Sequence, residues 1–329
     1  MDAVLVLTRR DVVDLLGLDD CISAVEGAFR LHAEGGSLPP GVLSVHAADG
    51  GFHIKAAGLR LGRPYFAAKT NGNFPGNPAR HGRPAIQGVV VLCDAEHGTP
   101  LAVMDSIAIT AIRTGAATAV AARHLARPGA RVATICGCGA QGDLQLRALA
   151  RVAALERVFA FDVDAGRAKA FGERLGAELG LDITPVDVLA DATRRSDIVV
   201  TCTPSRVPLL RPGDLMPGAF LSAVGADSEH KQEVDPRLLA GAALVVDVLE
   251  QSATIGELHH ALDAGVMTRA DVRAELGDVI AGRRPGRLAD DEIVIFDSTG
   301  TALQDVAAAV AVYERAVATR RGVALPLGT

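Results

Sequence analysis

The stretch Val132-Ala133-Thr134-Ile135-Cys136-Gly137-Cys138-Gly139-Ala140-Gln141-Gly142 decides the fold. An apolar run of strand character ends in a glycine-rich turn, and the turn opens into a helical pattern from Gln141 to Arg151. A second apolar run, Arg157-Val158-Phe159-Ala160-Phe161, ends at Asp162, twenty residues beyond Gly142. Strand, G-x-G-x-x-G, helix, strand and acid, in that order, make a dinucleotide-binding fingerprint. Gly137 permits the tight turn, Gly139 lets the backbone approach a pyrophosphate, and Gly142 allows close helix–strand packing. The helix start supplies N–H groups and the positive end of a dipole. Asp162 would accept from a ribose 2′-hydroxyl and repel a 2′-phosphate, which favours NAD over NADP. Its alternative reading is a helix N-cap.

Around this turn the chain keeps an α/β rhythm. Strands are expected at 131–136, 157–161, 183–188, 197–202, 219–224, 243–248 and 293–297, with helices between them, which predicts a Rossmann-type doubly wound parallel sheet. The 130 residues ahead of the turn read differently. An amphipathic helical region (8–34) precedes short strands at 42–45, 52–55, 65–69, 88–92 and 100–104, and a long alanine-rich helix spans Ile107 to Leu125. A last helix, 301–319, is expected to pack back on this first part. The domains are therefore 1–126 with 301–329, a discontinuous α+β unit, and 127–300, the dinucleotide unit.

Composition narrows the function classes. A net charge of −6 offers no basic footprint for nucleic acid, and aromatics at 3% with no Trp offer no base-stacking platform. Asp2, Arg9, Arg10 and Asp11 interrupt the N-terminus before a signal sequence could form, and Ala116 to Ala122 is too short to span a membrane. Five cysteines without framework spacing read as reduced residues of a cytoplasmic protein, and no metal-ligand motif is present. Only four of the 33 cationic residues are lysines: Lys55, Lys69, Lys169 and Lys231. Lys169 belongs to a polar helix face. The other three sit beside glycine, proline or apolar residues.

Three further segments carry chemistry. Val224-Gly225-Ala226-Asp227 begins at the C-terminal end of a strand, the edge where doubly wound sheets hold ligands, and Asp227 is placed to relay a proton. Asp227 and Asp235 could instead cap the next helix. Lys69 ends a strand before the loop Thr70-Asn71-Gly72-Asn73-Phe74-Pro75-Gly76-Asn77, where it could bind a carboxylate or simply flank a turn. Arg113 is the lone charge in the apolar helix 107–122 and needs an anionic partner, either a bound carboxylate or phosphate or a buried Asp or Glu.

Taken in order, Lys69 with Phe74-Pro75-Gly76-Asn77, Arg113-Thr114-Gly115-Ala116-Ala117, the Gly137–Gly142 turn, Gly225-Ala226-Asp227 with Lys231-Gln232-Glu233, and Asp297-Ser298-Thr299-Gly300 resemble the ornithine cyclodeaminase/μ-crystallin family over nearly the whole chain. The resemblance implies a Rossmann domain, a substrate and dimerisation domain in a homodimer, and nicotinamide-dependent chemistry at the α-carbon of small amino or imino acids. The two activities it implies are NAD-dependent imine reduction or amino-acid dehydrogenation, and, as the alternative, an ornithine- or lysine-type cyclodeaminase that uses NAD without net redox change. By the same resemblance Lys69 and Arg113 match the substrate-carboxylate ligands and Asp227 the proton shuttle. Ala140 and Gln141 match the pyrophosphate turn, Asp162 the ribose acid, and Thr203, Val224, Gly225, Lys231 and Ser298 positions near the cofactor. The chain departs from the pattern at Gly41, where an arginine is usual, at Lys55-Ala56-Ala57, where Met-Pro-Ala is frequent, and at Ala85, where a threonine is common. Lys55 is a candidate to replace the missing guanidinium or to meet a second acid on the substrate.

Overall fold

The computed structural model describes residues 3–327 and divides into two compact units, Met1–Arg113 with Thr301–Thr329, and Thr114–Gly300. The division falls inside the helix Ser106–Leu125, thirteen residues before the boundary expected after residue 126. The chain leaves the first unit in mid-helix, so no loop or change of composition marks the passage.

The second unit holds an eight-stranded, wholly parallel sheet. Its order is Ala274–Glu275, Ala243–Val246, Val294–Asp297, Phe220–Ala223, Ile198–Thr201, Val132–Cys136, Arg157–Phe161 and Asp182–Pro185. Strands such as Ile198–Thr201, Phe220–Ala223 and Val294–Asp297 are buried throughout, as expected of a sheet covered on both faces. The order reverses at Val132–Cys136, whose neighbours are Arg157–Phe161 and Ile198–Thr201. The loops after these strands therefore open a crevice at the sheet's carboxyl edge. A separate parallel pair, Arg206–Leu210 with Gln232–Val234, joins two of the following loops.

The first unit is a seven-stranded sheet in the order Val323–Leu325, Val4–Leu7, Pro100–Asp105, Ile86–Asp94, Arg63–Asn73, Gly50–Leu61 and Ser37–Ala47. All its ladders are antiparallel except Val4–Leu7 with Pro100–Asp105. The helical region predicted over 8–34 is two helices, Arg9–Leu15 and Leu18–Ala33, broken at Leu16-Gly17. The closing helix, Ala302–Thr319, packs on Leu18–Ala33 and on the strands Gly50–Leu61 and Arg63–Asn73, and its first residues are buried. The strand Ser37–Ala47 is longer than the expected 42–45 because Pro39 and Pro40 lie on a sheet edge, where a missing N–H breaks no interior ladder. Leu38, Val42, Leu43 and Val45 on that edge are exposed. Among the described residues no helix is long and apolar enough to cross a membrane.

Candidate active site

In the second unit the glycine turn has the form its sequence requires. Gly137 holds φ +103°, a conformation that L side chains rarely adopt. A Cβ at Gly142 would overlap the Gly137 carbonyl oxygen, while the space beside Gly139 is open for a ligand to approach its backbone. The helix Ala140–Leu149 starts directly on Gly139 with no side-chain cap, which leaves its first N–H groups available to an anion. Asp162 is fixed by two backbone donors: Cys138 N–H reaches one carboxylate oxygen at 2.9 Å and Asp164 N–H the other at 3.0 Å. The N-cap of the following helix is Asp164, not Asp162. A cavity of about 320 Å3, lined by Gly137, Gly139, Asp162, Arg167 and Thr203 among others, lies over this crevice. An open glycine, an uncapped helix start and a pre-oriented carboxylate fit a dinucleotide with a free ribose diol.

Thr203, Val224, Gly225 and Ser298 gather at the ends of three neighbouring strands in the same unit. Val224 N–H donates to Thr201 O, and Ser298 N–H to Ala223 O. Of the two acids read as alternative helix caps, Asp235 caps Pro236–Ala240, and Asp227 is the N-cap of none of the described helices. The Asp227 side chain, half exposed, instead meets Lys231 Nζ at 2.6 Å. Lys231 thus lies on the catalytic candidate.

In the first unit three elements converge on one buried ion cluster. Lys69, on the strand Arg63–Asn73, places Nζ 2.7 Å from Asp305 Oδ2 and donates to Thr110 Oγ1 at 3.3 Å. Arg113 donates from Nε to Asp305 Oδ1 at 3.0 Å and from Nη1 to Gln304 Oε1 at 2.8 Å. Asp305, from the closing helix, is therefore the anionic partner that Arg113 demanded. Lys69, Arg113 and Asp305 are all at least 96% buried. Burial pushes the Lys69 ammonium down to about 7, against the opposing pull of Asp305. Burial would raise Asp305, but the Lys69 and Arg113 charges overturn it and hold its carboxyl below the usual range.

Lys55 lies directly opposite Lys69 across the antiparallel ladder, so the two side chains leave the same face of the sheet. Gly41 pairs with Ala56, whereas Val42 pairs with Lys55. A side chain at position 41 would leave the opposite face, so Lys55 does not replace a residue there by position. Period-2 alternation gave the shared face of His53 and Lys55, but only the register separates Lys55 from Gly41.

The profile of the ornithine cyclodeaminase/mu-crystallin family matches residues 3–320. This chain belongs to that family. Within it, an alanine dehydrogenase of Archaeoglobus fulgidus is 40% identical over 319 residues, 97% of each chain. The structure of an archaeal alanine dehydrogenase dimer with bound NAD superposes with a TM-score of 0.94 at 40% identity, over 98% of this chain and 99% of that one. The iminosuccinate reductase of Paracoccus denitrificans in complex with NAD+ gives a TM-score of 0.91 at 32% identity, over 99% of this chain and 100% of that one. As a member of the ornithine cyclodeaminase/mu-crystallin family the chain has the α/β Rossmann architecture, and its likeness to these enzymes runs through both units.

Proposed function

We propose that this chain is an NAD-dependent oxidoreductase acting at the α-carbon of a small amino or imino acid. The observation that carries this reading is the buried Lys69–Asp305–Arg113 cluster in a chain that also holds a complete dinucleotide turn. Two cations share one carboxylate there, which leaves charge for a second carboxylate. Lys69 and Arg113 clamp that substrate carboxylate, with Arg113 supplying planar donors and Lys69 a point charge. Lys55, on the same face, is the residue to which we assign substrate choice.

The cofactor is held by Gly137, Gly139 and Gly142, by the helix start at Ala140 and Gln141, and by Asp162, with Thr203, Val224, Gly225, Lys231 and Ser298 beside it. When bound, NADH supplies the hydride that the imine carbon gains. Asp227 delivers the proton that the substrate nitrogen takes, and in the reverse direction removes it. Lys231 holds the Asp227 carboxylate in place between turnovers. The unit with the ion cluster is the substrate domain, and the unit with the parallel sheet is the cofactor domain. The exposed apolar edge strand Ser37–Ala47 supports a homodimer, since an open ladder of this kind favours pairing with a second copy.

The test is a screen of linear and cyclic imino acids with NADH, and of amino acids with NAD+. Stoichiometric NADH oxidation with an imino acid is the expected result. Ammonia release from ornithine or lysine with no net change in NADH would replace this reading with the cyclodeaminase one.

A further inference from the structure

Two loops leave the carboxyl edge of the parallel sheet, one at Thr203 after Ile198–Thr201 and one at Gly225 after Phe220–Ala223. A single buried side chain, Glu233, ties them together. Its Oε1 accepts from Thr203 N–H and from the Thr203 hydroxyl, both at 2.7 Å, and its Oε2 accepts from Gly225 N–H at 2.8 Å. A Cβ at Gly225 would overlap both the Glu233 carboxylate and the Thr203 carbonyl, so glycine at 225 is what lets the three groups meet.

Glu233 is itself held from beneath. Glu257 Oε1 accepts from Glu233 N–H at 2.7 Å, and its Oε2 accepts from Val234 N–H at 3.2 Å. One turn along the same helix, His260 Nε2 lies 2.8 Å from the Lys231 carbonyl oxygen. The short parallel ladder adds Gln232 N–H donating to Ser205 O at 2.9 Å. The backbone that carries Asp227 and Lys231 is thus pinned at both ends, by Glu233 at Gly225 and by the helix Glu257–Asp263 at residues 231–234.

We propose that Glu233 is a positioning residue, which fixes the Thr203 loop against the Gly225–Asp227 loop and so sets where the Asp227 carboxylate stands relative to the cofactor-facing backbone. This rests on the role given to Asp227 above. The chemistry demands a carboxylate: both oxygens receive donors, and glutamine would turn an NH2 group towards at least one of them. Burial or packing at position 233, within the strand Gln232–Val234, would be met equally well by glutamine.

The experiment compares the full-length protein with its Glu233→Gln variant by hydrogen exchange, NADH titration and steady-state kinetics. The expected result is a loss of amide protection confined to residues 203–205 and 224–227, with the strands 198–201 and 220–223 still protected. The NADH dissociation constant should rise roughly tenfold, the worth of one lost charge-assisted hydrogen bond, and kcat should fall more than the imino-acid KM changes. Unchanged local protection overturns the proposal. So does uniform loss of protection across the unit with wild-type kinetics in the folded fraction, because Glu233 would then only hold the fold. Should the variant not fold, wild-type exchange decides: slow Thr203 and Gly225 amides support the clamp, and amides as fast as an open loop overturn it. Exchange and NADH titration need no imino acid, so they remain informative if wild-type turnover contradicts the proposed reaction.

Discussion

Replacing Asp305 by asparagine should move the pH dependence of catalysis in a direction fixed by the ion cluster. In the native protein Lys69 titrates at about 7, with burial lowering it and Asp305, 2.7 Å away, supporting the charged form. Carboxylate capture needs the ammonium. The wild-type kcat/KM for the imino acid should therefore be level below pH 7 and fall tenfold per unit above it. An opposite charge at this range is worth about 1–3 pKa units, so Asp305→Asn should drag the Lys69 break to about 4–6. At pH 7 the ammonium fraction then falls from about one half to between roughly 0.1 and 0.001, a loss of about 5- to 500-fold in kcat/KM that shrinks as the assay is acidified. The variant also leaves the buried Arg113 guanidinium without its counter-ion, which costs about 3–5 kcal/mol in stability, so profiles should be collected at a temperature where circular dichroism shows it folded. The measurement is initial NADH oxidation from acid to mildly alkaline pH at saturating NADH. A break that stays at 7 in Asp305→Asn, or a Lys69→Met variant that retains the wild-type profile, would refute the reasoning.

Asp227→Asn should lower kcat by about 10²–10⁴-fold while the NADH dissociation constant, read by cofactor fluorescence, stays as in wild type. Asp162→Ala should weaken NADH by about tenfold and narrow the gap to NADPH, because the acceptor for the 2′-hydroxyl and the charge that repels a 2′-phosphate leave together. Gly142→Ala should abolish NADH binding and lower the melting temperature, since its Cβ has no room beside the Gly137 carbonyl; a variant that binds as wild type would place the dinucleotide elsewhere. Leu43→Glu, on the exposed edge strand, should convert the proposed homodimer to monomer in sedimentation velocity, with an unchanged sedimentation coefficient counting against that edge as the interface.

The two halves of this protein differ in how openly the sequence shows them. The parallel sheet was legible because its strands are short apolar runs between helices, and a buried strand has few other ways to be written. The glycine turn was legible because steric necessity selects glycine at Gly137 and Gly142. Asp162 against Asp164 as the cap needed atoms: two acids two residues apart look alike until their backbone donors are known. The cluster in the first unit was half legible. A lone guanidinium in an apolar helix announced that an anion was near, but nothing local says which of 39 acidic residues supplies it. The answer lies 192 positions away in Asp305. Its signal was of the same kind, an acid within an alanine-rich helix. Glu233 was visible as part of a motif, yet its work depends on two loop amides that no periodicity reports.

The antiparallel pairing of Val4–Leu7 with Val323–Leu325 brings the two ends of the described chain side by side, and the acid that neutralises Lys69 and Arg113 arrives only with residue 305. During synthesis the parallel-sheet unit is complete before the other can be. Until residue 305 leaves the ribosome, the Lys69 ammonium and the Arg113 guanidinium lack the carboxylate that they share in the folded unit. A chain truncated after Gly300 should therefore keep the parallel-sheet fold and lose the other unit, which makes the helix Ala302–Thr319 the point at which the first unit can close.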